Sequence, residues 1–278
     1  MKNIFILSVA FSLMALLVNA PIAEASTIES AVKNLDSSLN QLITAKDEVI
    51  SGGQLTPEED LAFRKKVVNN ALILSLKEIE DIRAKFDTLK FSDKSVENSI
   101  KKQYVGDLGQ FEAYYRNLQG KLDKESDVEK IKDAAREAKI YREETYSPVI
   151  SKALEFILTF QTDKLVSSAD IRYGKIETDI KKLERANFIE PGFFGHQMSE
   201  SKKMISDARD LVDKSKAVVT KAEEKDKSVD EKDAEDTEAK KNITPTPREL
   251  CEAALVNLKS GYGIFVDISG SVKKILKL

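Results

Sequence analysis

The stretch Tyr104–Leu122, YVGDLGQFEAYYRNLQGKL, decides the fold. Its large apolar side chains stand at Tyr104, Leu108, Phe111, Tyr115, Leu118 and Leu122, in alternating steps of four and three. A helix of 3.6 residues per turn gathers all six on one face and leaves the charged residues on the other. A 3.5-residue period makes that face a seam between packed helices. Upstream, Val68, Leu72, Ile79, Ile82, Phe86 and Leu89 repeat the pattern with one break at Ser75. So do Ile28, Val32, Leu35, Leu39, Leu42 and Val49, with a break at Lys46. Downstream come Ala169, Tyr173, Ile176, Ile180 and Leu183, then Met204, Ala208, Leu211 and Val218. No strand-like alternation of useful length interrupts them.

The punctuation agrees. Ser26-Thr27-Ile28-Glu29, Thr56-Pro57-Glu58-Glu59, Ser126-Asp127-Val128-Glu129 and Thr246-Pro247-Arg248-Glu249 read as capping boxes, in which a hydroxyl and a glutamate satisfy each other's end of a first helical turn. The spacing predicts helices over 27–50, 57–90, 94–122, 127–146, 148–187, 198–225 and 247–276. Pro148 either starts a helix or kinks a continuous one. The expected fold is all-α, an elongated antiparallel helical bundle or coiled coil of six to seven helices.

Composition narrows the function. The 278 residues are 33% charged, with 44 Lys+Arg against 47 Asp+Glu, one His, one Cys and no Trp. One His and one Cys exclude a zinc finger, a haem attachment site and a disulfide framework. A net charge of −3 gives no electrostatic case for nucleic acid. His196 lacks the Glu-x-x-His partner of a di-iron bundle, since Phe193 stands there. Cys251 falls in register with Leu255, Leu258, Tyr262 and Phe265, as a small buried side chain would, with an intermolecular disulfide as the alternative. Phosphate-loop, dinucleotide, serine-hydrolase and calcium-loop motifs are absent from the sequence. No catalytic, cofactor-binding or metal-binding residue is expected.

Met1–Ala25 has the form of a signal peptide: Lys2, an apolar run from Ile4 to Val18, and Ala23-Glu24-Ala25 before a cut that would leave Ser26 first. An uncleaved anchor is the alternative. The predicted organisation is a signal peptide at 1–25, a long-helix bundle at 26–190, a loop plus helix continuing the bundle at 191–225, a charged flexible linker at 226–246 and a C-terminal amphipathic helix at 247–278. Between Lys221 and Asn242, 15 of 22 residues are charged.

Two features could carry interaction. One is Phe193-Phe194 in the loop NFIEPGFFGH, either an exposed anchor or a plug folded back on the bundle end. The other is the last helix, with Tyr262, Phe265 and Val272 on its apolar face and Lys273, Lys274 and Lys277 at its end. That helix could pack on its own bundle, lie on an anionic membrane or fill a partner's groove. The stretches IRYGKIETDIKKLERA, SESKKMISDARDLVDKSKAVV and TPRELCEAALVNLKSG, within residues 169–276, resemble a broad group of uncharacterised exported helical proteins of bacteria. The resemblance implies export and no known activity. The expected function is a non-enzymatic structural or protein-interaction role in the cell envelope, periplasm or secreted fraction, with an envelope protein or self-association as partner. A peripheral membrane binder is the first alternative and an enzyme of unknown type the second.

Overall fold

The computed structural model describes residues 36, 37, 39–41, 43, 44, 56–225 and 245–276. The signal segment and nearly all of the charged linker lie outside the described residues. The first predicted helix enters only through residues 36–44, where those described are helical. From Thr56 onward the described residues form six α-helices: α1 Pro57–Thr88, α2 Val96–Lys124, α3 Val128–Tyr141, α4 Ser147–Arg185, α5 Gly195–Lys225 and α6 Pro247–Ile275. A π-helical turn, Arg142–Tyr146, joins α3 to α4. There is no strand among the described residues, and the protein is an all-α helical bundle.

Caps set the helix starts. Thr56 accepts from Glu59 N at 3.2 Å while Glu59 accepts from Thr56 N at 2.9 Å. The box at Thr246 and Glu249 is formed in the same way. The box expected at Ser126 forms differently, one residue on. Asp127 caps α3 by accepting from Glu129 N at 2.9 Å, and Glu125 gathers the N–H groups of Ser126 and Asp127.

The described chain packs as two compact units that divide between Ser151 and Lys152, inside α4. Most of α4 therefore belongs with α5 and α6. The apolar period runs through the division unchanged, so the sequence pattern alone does not mark it. Pro148 accounts for the local geometry. It has no N–H to give, and its ring would strike the carbonyl of Glu144 in a regular helix. The chain widens into a π turn just before it, with Ser147 N–H reaching back to Arg142 O.

In the first unit the seam of α2 is buried at all six positions from Tyr104 to Leu122, as the period requires. The seam of α1 is buried from Val68 to Phe86, Ser75 included. Each large side chain removed from water in this way contributes about 1.5–3 kcal/mol before entropy is counted. Ser75 is the break in the stripe, and it has a partner. Arg142 donates to Ser75 Oγ at 2.9 Å and to Glu78 Oε2 at 2.9 Å, and the Tyr146 hydroxyl donates to the same Glu78 oxygen at 3.1 Å. Burial pushes the Tyr146 phenol far up, and the charge of Glu78 pushes it further. The π turn is thus pinned to α1 by a half-buried polar knot.

In the second unit α4 and α6 run parallel and α5 runs against both. Its seam residues recur in heptads: Met198, Ser201, Ile205, Ala208, Val212, Ser215 and Val219 on α5, and Cys251, Ala254, Leu258, Gly261, Phe265 and Ile268 on α6. Small residues let the helices close up. A Cβ at Gly261 would lie 3.6 Å from Met204 Cβ and 3.7 Å from Ser201 O. Gly263 and Gly270 make no such approach. One layer is polar: Thr159 and Ser215 hydroxyls lie 2.7 Å apart, with Cys251 Sγ 3.5 Å from Ser215 Oγ. Cys251 is buried, which fits the small-core role and leaves no surface thiol for an intermolecular disulfide. Across the same helices Lys216 pairs with Asp163 at 2.6 Å, and Arg209 pairs with Asp170.

Candidate interaction site at the loop end of the second unit

The loop between α4 and α5 is held by backbone chemistry that its sequence specifies. Asn187 takes φ 57, the left-handed region that ends helices. Its N–H bonds Glu184 O and the next N–H, of Phe188, bonds Leu183 O, both at 3.0 Å. This pair of bonds is the Schellman closure, with asparagine where glycine is commonest. Pro191-Gly192 then occupies the centre of a tight turn closed by Phe193 N–H to Glu190 O at 3.1 Å. Gly192 has φ 80, which a type II turn demands at that position and which glycine alone adopts freely. The Glu184 carboxylate accepts from Gly192 N at 2.8 Å and ties the loop to α4.

This frame sends the two neighbouring phenylalanines in opposite directions. Phe194 is 1% exposed and plugs the bundle end in a cluster with Ile180, Ile189, Met198 and Ile268. Phe193 is 54% exposed, with its ring set edge-on to Phe194 at 4.9 Å. The two alternatives therefore divide between the rings: Phe194 is the plug and Phe193 is exposed. Phe188, which the sequence reading passed over, stands five residues earlier in the same loop and is 58% exposed. Its signal was Asn187, a residue suited to the left-handed cap whose successor leaves the helix axis.

The last helix also divides. Phe265 is buried in the seam. Tyr262 is half-covered, with Arg172 over its ring at 5.8 Å and Phe265 edge-on at 5.6 Å. Burial raises the Tyr262 phenol, against the opposing effect of Arg172. Both rings serve the bundle, so the helix does not offer them to a membrane or a groove. Val272 packs against the Phe194 cluster. Lys273 is half-buried, Lys274 is exposed and Ile275 is 38% exposed. Lys277 lies outside the described residues. The structure thus brings the end of α6 to the same end of the unit as the phenylalanine loop. Exposed aromatic and aliphatic side chains there are rimmed by Lys182, Arg185 and Glu190, all exposed.

The first unit holds a different feature beside the π turn. Tyr114 stacks on Tyr141 with ring centroids 3.5 Å apart. They line a shallow groove of about 530 Å³ with Ile140, Thr145, Asp133, Arg136 and Glu137. Its charges are mostly spent inside it: Arg136 pairs with Asp133 at 2.8 Å, and Glu137 accepts from the Tyr114 hydroxyl at 3.2 Å. Burial and the Glu137 charge hold that phenol protonated well above its ordinary range, so it offers no base near neutral pH. No group of three or more His, Cys, Asp or Glu among the described residues could hold a metal ion, and His196 is exposed. No helix among the described residues is long and apolar enough to cross a membrane. No family model, no curated protein and no solved structure matches the chain.

Proposed function

We propose that this chain is an exported, non-enzymatic interaction protein of the cell envelope that engages a protein partner through the loop end of its second unit. The observation that carries this is the pair of exposed rings, Phe188 and Phe193, on a loop fixed by a Schellman closure, a proline-glycine turn and the Glu184 tie. Rigid aromatic side chains lose little entropy on binding and dominate interface energetics, while a rim of mixed charge confers specificity. Export is supported by the form of Met1–Ala25.

A second reading, binding to an anionic membrane surface, draws on Lys273 and Lys274 beside Ile275. The acidic Glu184 and Glu190 at the same end weigh against it. One set of measurements separates the two. Fractionation of the native source with intact mass should recover an exported species beginning at Ser26. A photo-crosslinker at Phe193 should capture a discrete protein that Phe188→Ser abolishes, with no flotation on anionic vesicles. Flotation lost in the Phe188→Ser/Phe193→Ser variant would establish the membrane reading instead. A species recovered from the cytoplasm with Met1 retained would overturn export.

A further inference from the structure

The outward face of α6 carries its charges in a self-complementary order. This face lies opposite the buried seam and is exposed along its whole length. It carries two of the most exposed aliphatic side chains of the described chain, Val256 at 64% and Val266 at 57%. Taken from Gly263, its charges are antisymmetric. Eleven residues before stands Glu252 and eleven after stands Lys274; four before stands Lys259 and four after stands Asp267. All four are exposed. Lys259, Asp267 and Lys274 have no ion-pair partner among the described residues. Glu252 holds Arg248 at 2.9 Å in an exposed pair of the kind that contributes little.

We propose that the occupant of this face is a second copy of the same helix, antiparallel, on a two-fold axis at Gly263. A two-fold interface must be self-complementary, each residue meeting the residue equally far on the other side of the axis. Here that rule opposes Glu252 to Lys274 and Lys259 to Asp267, twice each. It also opposes Val256 to Gly270 and Val266 to Ser260, large against small. Gly263 meets itself where the backbones come closest, and nothing within 4 Å fills the space a Cβ there would take. A parallel pairing would instead set all four charges against their own kind, which disfavours it. The seam would run about 33 Å, from twenty-two residues at 1.5 Å each. Apart from Lys274, which stands at the loop end, the pairing uses a different surface and stands whether or not the loop end binds a partner.

The test is sedimentation of the full chain at low and high salt from about 1 µM to about 1 mM, the range of a weak specific dimer. A salt-sensitive monomer–dimer equilibrium is expected. Lys259→Glu and Asp267→Lys should each weaken it by about tenfold or more, since each creates two like-charge contacts, and the doubly reversed chain should recover wild-type association. Register is read by oxidation. Gly263→Cys should form a disulfide dimer with itself. Val256→Cys alone should not, because its copies would be about 21 Å apart along the axis. A monomer at every concentration, a dimer indifferent to charge reversal, or ready self-crosslinking at Val256→Cys would each overturn the proposal.

Discussion

Removing the Arg142 guanidinium should loosen the first unit more than any other single change on its half-exposed surface. Arg142→Ala breaks two hydrogen bonds of 2.9 Å, to Ser75 and Glu78, and lifts a cation from 5.2 Å above the Tyr146 ring. The side chains of Arg142 and Glu78 are 40% and 34% exposed, which places the pair between two regimes. Fully exposed pairs contribute about 0–1 kcal/mol and broken buried pairs cost about 3–5 kcal/mol, so a cost of about 2 kcal/mol is expected here. Tyr146→Phe keeps the ring and loses only the 3.1 Å bond to Glu78, a cost of about 1 kcal/mol. The assay follows from the composition. There is no tryptophan, and five of the seven tyrosines (Tyr104, Tyr114, Tyr115, Tyr141 and Tyr146) lie in the first unit. Near-ultraviolet circular dichroism of tyrosine during thermal unfolding therefore reports mainly on that unit. At about 4–8 °C per kcal/mol for a unit of this size, Arg142→Ala should lower its midpoint by about 8–16 °C. A cycle of Arg142→Ala with Glu78→Ala should show coupling of at least about 1 kcal/mol. A midpoint shift within about 2 °C, or two additive single costs, would refute the polar knot as the anchor of the π turn.

Four further outcomes are expected. Ser201→Ala should be neutral or stabilising by up to about 1 kcal/mol in urea unfolding, because the Ser201 hydroxyl is buried without a hydrogen-bond partner. Gly192→Ala should cost about 1–2 kcal/mol in the same assay, since its φ of 80 strains any side chain. The Cys251 thiol should react with an aromatic disulfide reagent far more slowly in the native protein than in urea, and rapid native labelling would contradict its burial. The capping carboxylates Glu59 and Glu249 are held below the ordinary 4.5 by bonds from the backbone and hydroxyl of Thr56 and Thr246. Their stabilisation is complete above the ordinary value and is lost as pH falls through the lowered one. The unfolding midpoint should therefore fall with acid below about pH 5, and Glu59→Gln with Glu249→Gln should flatten that part of the profile.

The seam of α2 was legible because burial and period coincide there, whereas on α5 the expected Met204, Leu211 and Val218 are half-buried and the buried seam runs one residue on, through Ile205, Val212 and Val219. Every member of the Tyr104–Leu122 stripe is buried, and from Thr56 onward the helix ends fall within about three residues of those predicted, save that the helix expected over 127–146 passes from α to π after Tyr141. Ser75 reads as a flaw in its stripe because the partner that explains it, Arg142, lies 67 residues away. The π turn escaped for a related reason. Pro148 forbids a regular turn, but the choice between a break, a kink and a widened turn depends on what Arg142 and Tyr146 grip on α1. At the candidate site, Phe193 and Phe194 are adjacent and chemically equal. Only the turn geometry at Gly192 decides which one enters the core, and a one-residue shift would exchange them. Tyr262 and Phe265 were legible as an apolar face, with packing on the bundle among its readings, but the residues that cover them, Arg172 and Tyr173, come from α4 and carry no signal in α6 itself.

The two proposed surfaces have a joint consequence that neither has alone. An antiparallel pairing about Gly263 sends the C-terminal ends of the two α6 helices in opposite directions. Ile275 lies twelve residues beyond the axis, so the two ends would stand about 36 Å apart. Each end carries its own Phe188 and Phe193, and the dimer becomes a bivalent linker rather than a doubled binder. On a surface bearing the partner captured at Phe193, a second binding event would then be intramolecular and dissociation would slow without any new contact. Lys259→Glu leaves the loop end untouched and removes the pairing. It should therefore leave the affinity for soluble partner unchanged and speed release from a densely coated surface to the rate seen at sparse coating. Equal release of both proteins at every coating density would show that the two surfaces work independently, whatever each one binds.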